Sequence, residues 1–105
     1  LDKEDWKALV TALNMATINR QYEAVVHQIE TLVGLAFGHA PTGPDDPVLS
    51  RCPPEIVEGY RTFRAYVEAQ QQQILGLPDG DFRERAAAQR VNEFFEKWYP
   101  LGGSY

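Results

Sequence analysis

With 105 residues, 44% of them apolar and 24% charged, the chain has the size and composition of one soluble globular domain spanning residues 1–105, and apolar spacing that is helical nearly everywhere makes it all-α. Its formal net charge of −5 is spread along the sequence without any basic patch of the kind phosphate neutralisation needs, which argues against nucleic-acid binding. No run of about 18 apolar residues is present to cross a membrane, and a lone cysteine, Cys52, excludes an internal disulfide and a cysteine-built zinc site, leaning towards a reducing, cytoplasmic compartment.

The first forty residues read as helix, but with two apolar stripes. At about 100° of rotation per residue, Trp6, Leu9, Val10, Leu13 and Ala16 share one side, whereas Met15, Ile18, Tyr22, Val25, Val26, Ile29 and Val33 share roughly the opposite one. Two solutions follow. The helix bends near Asn14–Asn19, giving helices at 3–15 and 17–37, or it runs straight from Lys3 to Phe37 over roughly 50 Å and overhangs its neighbours. An overhang favours a second subunit. Gly38, with Pro41 beyond it, supplies the stop. His27, between Glu23 and Glu30, lies off the stripe and reads as a solvated face rather than an inward-facing carboxylate–histidine motif.

Residues 39–53 form a long proline-rich loop. Together with Pro54, the stretch "HAPTGPDDPVLSRCPP" holds five of the seven prolines, Cys52 and His39. The prolines keep the segment out of the flanking helices, and its length suits a strap across the bundle or a contact with a partner. Cys52 or Ser50 is placed to cap the next helix, where the helix dipole lowers a thiol pKa. A reactive thiol also needs a base, and neither His39 nor His27 stands at a spacing that supplies one. Cys is equally at home as a small core hydrophobe. His39, Asp45, Asp46 and Cys52 lack the short-spaced ligand pairs of a zinc site, so no metal and no cofactor is expected.

A helix follows at 54–75 with Ile56, Tyr60, Phe63, Val67 and Ile74 on its stripe. Its alternation of Tyr60, Arg61, Phe63, Arg64 and Tyr66 is the mixture that stacks bases. The core stripe accounts for the rings, and Glu58 and Glu68 stand ready for the arginines. After the turn 76–81, Asp81 and Glu84 spell a capping box for a helix at 81–99 that carries Ala87, Val91, Phe94, Phe95 and Trp98. The short connection makes the last two helices antiparallel. The expected architecture is therefore a three- or four-helix antiparallel bundle whose first helix is long or bent. Its apolar spacing does not recur as a helical-repeat array.

A surplus of aromatic residues is the functional signal. Tyr66 and Phe82 fall about 100° from their stripes, Trp6 lies on the misaligned face, Tyr99 sits at a stripe edge and Tyr105 in a Gly-rich tail. Trp6, Tyr66, Phe82 and Tyr99 are the candidate partner-binding residues. The expected function is a small non-enzymatic protein–protein interaction module: a regulator, inhibitor, immunity-type or accessory protein acting on a protein partner or on a second copy of itself. One alternative is a small-molecule-binding or catalytic domain with a pocket between helices that uses Tyr60, Tyr66, His27 or Cys52. Another is a nucleic-acid-binding regulator, against which the charge speaks.

Overall fold

A computed structural model describes residues 3–100, with residues 17–19 entering through their backbone; Tyr105 lies outside the described residues, as does the side chain of Ile18. The chain is an all-helical bundle. Helices α1 (Lys3–Asn19) and α2 (Tyr22–Phe37) are followed by a 3-10 helix (Pro47–Arg51), then by α3 (Pro54–Ile74) and α4 (Gly80–Trp98).

The bend falls at Arg20, just beyond the expected window. Arg20 adopts the left-handed region, φ 54°, and its backbone N–H donates to the carbonyl of Ala16 at 2.9 Å, closing α1. Gly38 ends α2 in the same way, at φ 74°, donating to Gly34 at 2.9 Å. At the end of α3, Gly76 at φ 69° donates to the carbonyl of Gln73 and Leu77 to that of Gln72, a Schellman closure. Three helices thus end on a left-handed residue. Two use glycine, which has no Cβ to strain; the first uses arginine.

The turn at Arg20 resolves the two-stripe puzzle. Leu9, Leu13 and Ala16 of α1 join Val25, Val26, Ile29 and Val33 of α2 in one core with Ile56, Tyr60, Phe63, Val91 and Phe94. The chain reverses between the two stripes, so the α2 part of the second stripe faces the same core as the first, whereas Met15, on α1, is 42% exposed. The proline-rich segment belongs to that core as well. Val48 and Leu49, on its 3-10 helix, are buried, which makes the segment a strap across the bundle.

Three local expectations are corrected. Helix α4 starts at Gly80, with Asp79 at the cap in the left-handed region and no side-chain cap bond. The Asp81 box does not form; Asp81 pairs with Arg85 one turn on. Glycine suits position 80 because a Cβ there would crowd the Gln73 backbone at 3.0 Å. Pro53 occupies the cap of α3, so neither Ser50 nor Cys52 does. Ile74, placed by its period on the core stripe, is 84% exposed. Among the described residues, no helix is long and apolar enough to cross a membrane.

Candidate functional site

The four aromatic candidates separate into two groups. Trp6 is half-buried with its ring centroid 6.5 Å from that of Phe37. Tyr66 stands edge-on to Tyr22 at 5.2 Å. Tyr99 packs against Phe94 and Phe95, while its hydroxyl donates to Glu55 and to the carbonyl of Val10 at 3.2 Å, tying the end of α4 to α1 and α3. These three rings are engaged inside the chain. Phe82 is not: it is 70% exposed.

Among the described residues, the largest concentration of exposed large apolar side chains lies around Phe82. Ile74, Leu75 and Leu77 occupy the end of α3 and the turn, so four large apolar residues between positions 74 and 82 face solvent at one tip of the α3–α4 hairpin. The Schellman closure at Gly76 and the close approach of Gly80 to Gln73 fix that turn, so the tip is a preformed surface. Charged and polar pairs border it. Arg83 donates to Gln72 at 2.8 Å, Gln73 to Asp81 at 3.4 Å, and Arg85 pairs with Asp81. Phe82 alone of this group was marked in the sequence; apolar residues in a turn, Leu75 and Leu77, were the available signal for the rest.

A second feature is a cleft of about 720 Å³ beside the α1–α2 bend, between α3 and α4. Tyr22, Tyr66, Phe95 and Tyr99 supply rings, with Arg20 and Glu96 among its polar residues. Burial, with Tyr66 beside it, raises the Tyr22 hydroxyl above its ordinary pKa.

The candidate catalytic groups are not brought together. The Cys52 thiol donates to the Val48 carbonyl at 3.9 Å, and burial pushes its pKa up, the reverse of the shift a helix dipole alone would cause. Tyr60 is fully buried; its hydroxyl donates to Glu30 at 2.8 Å and accepts from Arg64 at 2.8 Å. Burial and the Glu30 carboxylate push it up to about 12, where it is no acid–base group at neutral pH. Arg64 also pairs with Glu68 at 3.1 Å, whereas Arg61 donates to the Pro44 carbonyl at 2.7 Å and Glu58 accepts from Lys97 and Trp98. His27 lies in the open, 4.0 Å from Glu30. Among the described residues, no three of His, Cys, Asp and Glu gather as a metal site.

His39 and Asp46, considered above as ligands, clasp the strap. Asp46 accepts from the Val48 and Thr42 backbone N–H groups at 2.9 and 3.0 Å, from the Thr42 hydroxyl at 3.0 Å and from His39 Nε2 at 2.8 Å. Those donors, the Val48 N–H first, hold the Asp46 carboxyl well below the usual carboxylate range. A depressed carboxylate contributes stability that is complete above its unfolded pKa, about 3.9, and is lost as the pH falls through the folded value. Thermal melts of wild type and Asp46→Ala should therefore differ at pH 7 and converge as the pH drops below about 4. A gap that persists unchanged at low pH would mean the clasp is not the cause.

No family model, curated protein or solved structure matches the chain.

Proposed function

We propose that the protein is a small non-enzymatic interaction module, a regulator, inhibitor or accessory subunit, that inserts the α3–α4 hairpin tip into an apolar groove on a partner protein. The observation that carries this reading is the group of Ile74, Leu75, Leu77 and Phe82, exposed by 84, 72, 47 and 70% at one end of the α3–α4 hairpin. Apolar patches of ~300–600 Å² on small proteins are often functional, and a rim of paired charges around an apolar centre is the anatomy of an interface.

Shape and area favour a different protein over a second copy. The tip is the convex end of a hairpin, and a standard interface needs about 800 Å² from each partner. Two convex ends meeting face to face bury less than that, whereas a concave groove covers the tip and part of its rim. The rigid turn limits the ordering cost of binding.

The test uses the purified chain as bait, with its oligomeric state read by sedimentation at micromolar concentration. Wild type and a Leu35→Ser control, which alters an exposed leucine on α2 away from the tip, should retain one stoichiometric partner. An Ile74→Ser/Phe82→Ser variant should lose it, with affinity lower by about 100-fold or more, while its thermal stability stays within about 0.5 kcal/mol of wild type. A partner held equally by the double variant would overturn the reading. So would an empty bait, or self-association abolished by the same substitutions.

A further inference from the structure

We infer that the cleft beside the α1–α2 bend binds a small aromatic zwitterion, a flat ring carrying both a carboxylate and an ammonium group, as in a free aromatic amino acid. The inference concerns a different surface from the hairpin tip and stands independently of it.

The lining defines the ligand. Tyr22 and Tyr66 meet edge-on at 5.2 Å on the α2–α3 side, while Phe95 and Tyr99, 6.2 Å apart, come from α4 and its end. Four aromatic residues line one cleft of about 720 Å³, an apolar lining suited to a planar guest. The two charged residues of the lining, Arg20 and Glu96, are exposed, and among the described residues neither side chain has an ion pair or hydrogen bond. They carry opposite signs yet are not paired with each other. A ligand bearing only an acid meets Glu96 as a like charge, and one bearing only an amine meets Arg20. A zwitterion satisfies both, with the guanidinium fork taking the carboxylate.

Arg20 supplies a separate argument. It sits at φ 54°, a conformation that the other two left-handed helix ends assign to Gly38 and Gly76. Nothing in the backbone hydrogen bonding of the bend requires a side chain, since Arg20 makes the same closing bond that Gly38 makes. Strain retained at a non-glycine residue in a cleft marks a side chain kept for what it does.

The experiment is an NMR titration of the full chain with L-tryptophan, tryptamine and indole-3-propionate, followed at the backbone amides of Tyr22, Tyr66 and Phe95. Tryptophan should bind with a Kd below about 1 mM, at least about tenfold tighter than either half-analogue. Arg20→Gly, which relaxes the bend and so preserves the fold, should weaken tryptophan at least about tenfold and leave tryptamine unweakened. Glu96→Gln should weaken tryptophan and leave indole-3-propionate unweakened. Absence of shifts up to the solubility limit, equal affinity for the three probes, or indifference to both substitutions would each overturn the inference. The Ile74→Ser/Phe82→Ser variant should bind tryptophan as wild type does, which separates this outcome from the fate of the tip.

Discussion

Phe63→Ala is expected to lower the unfolding free energy by about 3–5 kcal/mol, read from urea denaturation with the m-value held constant. Phe63 is fully buried at the middle of α3 and lies at the junction of three neighbours, with ring centroids 5.1 Å from Tyr22, 5.2 Å from Phe94 and 5.7 Å from Phe95. Truncation removes the transfer free energy of a phenyl ring. It also leaves a cavity that rings on two other helices cannot collapse into without losing their own contacts. Domains of this size are stable by about 5–15 kcal/mol, so the variant sits near the edge of folding at 37 °C. Phe82→Ala is the matched control: the same truncation on a ring 70% exposed should cost less than about 1 kcal/mol. A loss at Phe63 no larger than the loss at Phe82 would mean that the core is not organised around α3.

The central place of α3 also explains which features could be read from the sequence. The stripes of α2, α3 and α4 were legible because each packs a continuous apolar face at helical spacing, and Val33, Ile56 and Val91 are buried as that spacing requires. Tyr66 has a neighbour inside the chain for a physical reason. A helix with neighbours on more than one side buries a wider arc than its strongest stripe, and Tyr66, well off that stripe, meets Tyr22 of α2. Ile74 was misleading in the opposite sense. Period places a residue on a face but does not reveal how far the neighbouring helix extends, and α3 is turning towards Gly80 where Ile74 emerges into solvent.

The bend was legible in the two opposed stripes, but the residue that makes it was not, because a left-handed arginine looks in sequence like any other helical arginine. A pocket between helices was among the readings, but of the residues named for it only Tyr66 lines the cleft, whose sides meet only after the chain reverses at Arg20. Prolines told correctly where helices stop, but they carried no information on whether the intervening strap packs down. That depends on Val48 and Leu49 reaching the core.

Gly59→Val tests how α1 is seated, and through it the cleft. In α3 a glycine is a poor helix residue, so an added side chain should gain up to about 1 kcal/mol of helical propensity. Packing decides against it. A Cβ at Gly59 would lie 2.8 Å from Cδ2 and 3.2 Å from Cδ1 of Leu13 on α1, and 3.2 Å from Cζ of Phe94 on α4. Leu13 is fully buried and Phe94 nearly so, which leaves neither ring nor methyls a place to go. Overpacking of a closed site costs about 1–3 kcal/mol, and the branched side chain belongs at the upper end. The net expectation for Gly59→Val is a loss of about 2–3 kcal/mol. Leu13→Ala removes the closest clashing methyls. The double variant Leu13→Ala/Gly59→Val should therefore lose less than the sum of the two single variants by about 1 kcal/mol or more, a coupling measurable in a double-mutant cycle. Strict additivity would show that α1 does not close on α3 at this point. Because α1 runs from Leu13 to the bend that carries Arg20, displacing it should also weaken tryptophan in the cleft. The tip of the α3–α4 hairpin, fixed by Gly76 and Gly80 at the far end of α3, should keep its partner.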